Sequence, residues 1–477
     1  MHDKSQRKSS DHVAGPTELV VGVGVACTIR ASSTCARVLV GTGRQPPQSM
    51  QPFLTAHATH AQAGMALALA DAQLQAQRAQ CSGAFEPTLG LIYLSDHFAS
   101  QASALLAELQ QRWPGVDWVG SVGVGVMASG VEYFDEPALV LMLTTLPRTQ
   151  YQVFNGLQPL ERAPPLGLHP APTPAWLGSA PRADVRTPPF SALVHADPAT
   201  ADVAELITEL ADRTESRYLF GGLASSRGKT LTVANGVFEG GLSGVAFSAA
   251  VHLISRVTQG SQPVGPSRRI TACERNLVLK LDGQPALPAL LADLGLSLDQ
   301  PQKALAGMRH TLVGLTDENA TALARGGNFG ADTRVRHLIG IDPGHEAVAV
   351  ADLLEVGQQL AFCRRDVEAA QRDLVRICAE IRDEVESLEP SATSAVVEPA
   401  APARTPPGAE VGARIVGAIY VSCSGRGGPH FGAPSAEALI VQRALGDVPL
   451  VGFFAAGEIA RHHLYGYTGV LTVFVGR

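Results

Sequence analysis

Clusters of positive charge are scarce in this sequence, and that scarcity removes one large class of partner. Only 17% of the 477 residues are charged and the formal net charge is −7. The short pairs Arg268-Arg269 and Arg364-Arg365 read as solvated faces, and no basic stripe accompanies them. Phosphate contacts need clustered Lys and Arg, so no nucleic-acid partner is expected. Long apolar runs are missing too: nothing approaches the roughly 20 residues that span a bilayer. Seven cysteines, odd in number and without Cys-x-x-Cys spacing, suit reduced thiols in a cytoplasmic protein better than a disulfide framework or structural zinc site. Val20 to Ile29 imitates a signal-peptide core, but Asp11 and Glu18 interrupt the basic region ahead of it and two glycines dilute it.

Cofactor signatures are equally absent. Gly120-Ser-Val-Gly-Val-Gly125 lacks the third glycine of a dinucleotide turn and opens no helix, and no G-x-x-x-x-G-K-[ST] loop occurs. His57 and His60 suit one helical face without a third ligand, and His462-His463 would diverge on a strand, so no metal is expected.

What the chain has is size and glycine. At 477 residues, with 45% hydrophobic content, it exceeds the reach of a single core, and two or three domains are expected. A Gly-studded block, Gly417-Ala-Ile-Tyr-Val-Ser-Cys-Ser-Gly-Arg-Gly427, precedes a helical pattern from Ser435 to Leu445 and a second apolar run ending in Gly457-Glu458. It reads strand, loop, helix, strand. An echo stands near residue 90: Gly90, Ile92 and Tyr93 match Gly417, Ile419 and Tyr420, a helical pattern covers Gln101 to Trp113, and Gly120 and Gly125 keep the spacing of Gly452 and Gly457. Two related halves follow from this repeat.

Elsewhere, residues 1 to 17 read as disordered, Leu19 to Cys27 as a strand, and His57 to Ala79 as a helix. Eight prolines between 162 and 189 make a connector. Short β-rich runs at Tyr218 to Leu223, Thr230 to Val237, Gly244 to Ile254 and Asn276 to Leu281 suggest an antiparallel meander. Val335 to Leu360 is strand-rich, and a helix is expected from the N-cap Asp366 to Leu388. Its apolar rhythm suits core packing, the alternative being a dimerising coiled coil. Residues 389 to 413 form a Pro/Ala-rich insertion. The fold class is α/β (α+β): two domains with mixed, largely antiparallel sheets flanked by helices.

The chemistry concentrates in the C-terminal copy. Cys423 enters a loop, Ser424-Gly-Arg-Gly427, that offers backbone N–H groups and a guanidinium to an anion, and Arg suits a carboxylate because its planar fork binds in bidentate fashion. Glu458 stands at a strand end where it takes an ammonium or locks Arg426; in the N-terminal copy Val126 holds that place. Candidate ligand-binding residues are Cys423, Ser424, Gly425, Arg426, Gly427, Gly457 and Glu458. A nucleophilic Cys423 requires a base, for which His430 is nearest in sequence.

These residues resemble the FIST sensory proteins. The C-terminal signature is Cys423-Ser-Gly-Arg-Gly427, Gly452-Phe-Phe-Ala-Ala-Gly-Glu458 and Tyr467-Thr468; the N-terminal one is Phe220-Gly-Gly-Leu223, Thr271, Asn276 and Asp282-Gly-Gln-Pro-Ala-Leu287. The resemblance implies a FIST N-terminal domain over 18–290, a FIST C-terminal domain over 291–477, and non-enzymatic sensing of a small ligand such as an amino acid. No output domain is recognisable in the sequence, so a separate signalling protein is implied as partner, and a homodimer is compatible with the sequence. A cysteine-dependent hydrolase or transferase, or a protein-interaction scaffold, is the competing reading.

Overall fold

The computed structural model describes residues 53–81, 83–157, 160, 189–316, 333–388 and 412–476. The expectations for residues 1–17, for Leu19 to Cys27, for the connector up to 188 and for the insertion up to 411 lie outside the described residues.

The first third of the described chain runs β1 (Phe53–Thr59), α1 (Ala63–Gln80), β2 (Leu89–Ser95), α2 (Ala102–Arg112), β3 (Asp117–Gly123), the hairpin β4 (Gly125–Ala128) and β5 (Val131–Phe134), then β6 (Ala138–Thr144). The second third repeats the plan: β7 (Tyr151–Phe154), β8 (Ser191–Ala196), α3 (Val203–Ala211), β9 (Tyr218–Leu223), the hairpin β10 (Thr232–Ala234) and β11 (Val237–Phe238), then β12 (Leu242–Phe247). After the edge strand β13 (Leu253–Gln259) an inserted unit intervenes. It comprises β14 (Ser261–Pro263), β15 (Arg268–Glu274), β16 (Leu277–Leu281), β17 (Gln284–Pro285), α4 (Ala286–Leu294), α5 (Pro301–Arg309), β18 (Thr311–Thr316), β19 (Arg334–Asp342), β20 (Ala347–Val350) and β21 (Gln359–Arg365). The plan then resumes with α6 (Val367–Ser387), β22 (Arg414–Cys423), α7 (Ala436–Leu445), β23 (Leu450–Ala455), the hairpin β24 (Glu458–Arg461) and β25 (His463–Tyr465), and β26 (Thr468–Gly476).

Three sheets result, ordered β1-β6-β2-β3-β10-β11, β7-β12-β8-β9-β24-β25 and β13-β26-β22-β23-β4-β5. In each, the central pair is parallel and its other neighbours are antiparallel. Each copy gives away its hairpin: β4-β5 completes the third sheet, β10-β11 the first, and β24-β25 the second. The exchange is cyclic, so the copies are interlocked rather than merely packed. Inner faces meet in one core containing Tyr93, Phe220, Phe247, Val421, Phe453 and Phe474. Helices α1 and α2, α3, and α6 with α7 cover the outer faces.

One glycine recurs at the same place in each copy. Gly120, Gly221 and Gly452 stand opposite Ile92, Val194 and Tyr420 in the parallel pairs. A Cβ at any of the three would overlap the carbonyl oxygen of that opposite residue. This register corrects the sequence alignment of the first strands by one residue: Ile92, not Tyr93, corresponds to Tyr420. A one-residue slip exchanges faces, and accordingly Tyr93 lies in the central core while Tyr420 lies under α6.

Three more expectations change. His57 is on β1, a strand of alternating burial paired to β6, and the helix starts only at Ala63. The expected meander does not form, because β9 pairs in parallel with β8 and β10 leaves for the first sheet. The apolar stripe of α6 is spent on the third sheet and α7, which leaves no coiled-coil face; Asp366 caps it by accepting from Ala369 N–H at 2.6 Å.

The inserted strands β15, β16, β20, β19, β18 and β21 close into an antiparallel barrel, with β21 returning to β15. Its core holds Ile270, Val278, Leu281, Leu315, Val348 and Phe362, with α4 and α5 packed on it. Residue 290 falls inside α4. No helix among the described residues is long and apolar enough to cross a membrane.

Candidate functional site

The carboxyl ends of parallel strands are where open α/β sheets receive ligands, and in the third sheet that end is Cys423. The loop after it is pinned at its start, Ser424 N–H donating to the Ala455 carbonyl at 2.8 Å and Arg426 N–H to the Cys423 carbonyl at 2.7 Å. Four of the seven expected residues, Cys423, Ser424, Gly425 and Gly457, then line one cavity of about 970 Å3. Its other walls come from α3, from β25 with the segment to Tyr467, and from the barrel at β19 and the loop following β20.

Arg426, Gly427 and Glu458 lie behind that wall. Arg426 turns inward to Glu437 on the first turn of α7, with Nε at 3.1 Å and Nη2 at 2.9 Å from Oε1. Tyr420 and Ser422 donate their hydroxyls to the same carboxylate, at 2.5 Å and about 3 Å. The guanidinium also stands over the Phe431 ring, 5.1 Å from its centroid. Its ion-pair partner is thus Glu437 and not Glu458, the partner considered from the sequence. Gly427 admits Phe134 of the exchanged β4-β5 hairpin, where a Cβ would overlap the ring.

Glu458 is fully buried; its Oε2 accepts from Thr468 N–H at 3.1 Å and from the Thr468 hydroxyl at 2.7 Å. Oε1 has no hydrogen-bond partner among the described residues. Burial pushes its pKa up to about 8, which favours the protonated carboxyl over the carboxylate. The Cys423 thiol, with backbone N–H groups of Gly425 and Tyr467 directed at it, is pushed up to about 12 by burial and then by Glu458. A thiol in that form is a poor nucleophile. His430, the base considered from sequence, makes no hydrogen bond to Cys423 among the described residues. Burial and two nearby guanidinium groups, Arg365 and Arg426, hold it down at about 4.

Residues outside the expected ligand-binding set tie the barrel to the three-sheet body around the cavity. Arg336 donates Nε to Asp352 at 2.9 Å and Nη2 across the gap to the Leu464 carbonyl at 2.9 Å. Tyr467, held at φ 61°, hydrogen-bonds His337 through its hydroxyl. Arg365, read from sequence as a solvated residue, covers the Tyr467 ring at 5.2 Å and donates to the Gly425 carbonyl. Arg268 likewise is engaged, with both Nη atoms on Asp293 at 2.6 and 2.7 Å. Only Tyr467 carried a signal in the sequence, as part of the Tyr467-Thr468 signature. Among the described residues no grouping of His, Cys, Asp and Glu is placed to hold a metal ion.

Comparison with known proteins assigns the class. The model of the FIST N domain matches residues 88–284 and that of the FIST C domain residues 286–461. The chain belongs to the FIST family, whose domains are sensory domains of signal transduction. Among similar proteins, Rv0628c, an uncharacterized protein of Mycobacterium tuberculosis strain H37Rv, is 29% identical over 398 residues, covering 82% of this chain and 91% of the relative. Mb0898c, an uncharacterized protein of Mycobacterium bovis, is 28% identical over the same length and the same shares.

Proposed function

We propose that this chain senses a small ligand, an amino acid or related metabolite, in the cavity between barrel and body, and passes the occupied state to a separate output protein in the cytoplasm. The observation that carries this reading is the convergence of Cys423, Ser424, Gly425 and Gly457 on one cavity of about 970 Å3, a volume within the range of small-molecule sites. These four residues contact the ligand. Arg426, Gly427 and Glu458 set the loop from beneath, the first two through Glu437 and Phe134. Because Arg336, His337 and Arg365 bridge barrel and body, a ligand that displaces one of those contacts changes how the two are held, which is a signal an output protein can read.

The test is a thermal-shift panel of amino acids and other metabolites against the wild type and Ser424→Trp, which fills the cavity from a half-buried wall position. Compounds that raise the wild-type melting temperature are expected to lose their effect in the variant. Hits of equal size in both overturn the site. A silent panel together with a stable protein partner in pull-downs favours the scaffold reading.

A further inference from the structure

The cavity has more room than a free amino acid needs, since about 970 Å3 is at the upper end of the roughly 300–1,000 Å3 that drug-sized ligands occupy. One wall is the three-residue edge strand of a sheet. β25 ends the second sheet and contacts α3 and β19, the elements that supply the facing walls.

Backbone pairing shows which way that edge faces. In the β24-β25 hairpin Ala460 opposes His463 across a two-residue turn, and Ile459 opposes Leu464. The pair that closes such a turn exchanges its hydrogen bonds, so the next pair directs its backbone groups outward. Leu464 therefore turns its N–H and C=O to the cavity. Its carbonyl accepts from Arg336 Nη2 at 2.9 Å, while its N–H has no acceptor among the described residues. The Ser424 hydroxyl on the adjoining wall likewise has no partner among them.

Charge selects further. Glu205, Asp352 and Glu355 line the cavity together with Arg334 and Arg336. Both arginines lie against Asp352, at 3.8 and 2.9 Å, whereas Glu205 and Glu355 are exposed and form no ion pair among the described residues. A ligand that satisfies this cavity brings a carbonyl acceptor to Leu464 and Ser424 and a cation to the acidic rim. A polyamine brings only the cation, and a free amino acid spans too little of the wall.

We infer that the cavity takes a short, extended, basic peptide, laid along β25 as an added strand, with its cationic side chain at Glu205 and Glu355. This rests on the ligand-binding reading of the same cavity. The test is isothermal titration calorimetry of the full chain with tri-lysine, free lysine, tri-glutamate and spermidine. Tri-lysine is expected to bind at least about tenfold more tightly than lysine or spermidine, and tri-glutamate not at all. Glu205→Gln/Glu355→Gln should lose about tenfold in affinity with an unchanged melting temperature. Leu464→Pro, which removes an outward edge N–H at a place where proline is tolerated, should weaken tri-lysine and leave spermidine unaffected. Equal affinity for spermidine or lysine, or full binding by the double Gln variant, overturns the peptide assignment. Metabolite hits abolished by Ser424→Trp alongside no tri-lysine binding sink the peptide alone; silence from both tri-lysine and the metabolite panel sinks the parent reading.

Discussion

Arg426 and Glu437 form an ion pair in which each side chain is only 1% exposed. Two oppositely charged groups at that depth are coupled to the fold rather than to a ligand, and removing one strands the other with its desolvation cost unmet. Arg426→Met is therefore expected to destabilise by about 3–5 kcal/mol in urea unfolding. Arg426→Met/Glu437→Leu should cost less than the two single changes summed. A strictly additive cycle would show that the pair contributes nothing as a pair.

The buried carboxyl of Glu458 makes stability depend on pH with a definite sign. Folded, it keeps its proton up to about pH 8; unfolded, it releases it near the ordinary 4.5. Between those values the native state holds the extra proton, so this contribution is complete below 4.5 and is lost as pH rises through 8. Glu132, pushed up to about 7 mainly by burial, acts in the same direction over a narrower window. Urea unfolding at pH 5 and pH 8.5 should show a wild-type loss, at most on the order of 1.4 kcal/mol per pH unit for each of the two carboxyls, that is reduced but not abolished in Glu458→Gln. An identical slope in the variant would mean that Glu458 ionises normally.

For Cys423, the relevant measurement is alkylation. Its thiol lines the cavity but is only 8% exposed and is pushed up to about 12. At pH 7.5 iodoacetamide should modify it more slowly than the half-buried Cys81, with mass spectrometry locating the adducts. Preferential labelling of Cys423 at that pH would revive the thiol-enzyme reading.

The repeat was legible where strand and helix patterns were long and glycines kept their spacing, as at Gly120 and Gly125 against Gly452 and Gly457. Its middle copy was not, for two physical reasons. Its helix α3 has only nine residues, and its diagnostic Gly221 is followed within β9 by a second glycine, whereas Gly120 and Gly452 are each followed by a residue with a side chain. Hairpin exchange was invisible as well, because β4, β10 and β24 carry ordinary strand patterns and nothing local says which sheet receives them. The loop at Cys423 was legible from its glycines and its place after an apolar run. Which of its side chains face outward was not: Glu437 captures Arg426 from eleven positions away, and the Arg336-to-Leu464 contact joins residues 128 apart.

The interlocking of the three copies yields the strongest test of the fold. A break at residue 285, between the spans matched by the two family models, leaves the first fragment without β24-β25 for its second sheet. Its β4-β5 hairpin then has no third sheet to join, and β13 loses β26. The second fragment loses both edges of the third sheet and, with β15 and β16, the closure of the barrel. Unpaired strand edges and half-covered cores are aggregation-prone. Fragments 48–285 and 286–477 should each be insoluble or lack a cooperative melt when made alone, whereas co-expression should yield a soluble complex with one transition. A monomeric, cooperatively melting fragment 48–285 would show that the exchange is dispensable and that the first two copies hold together without the third.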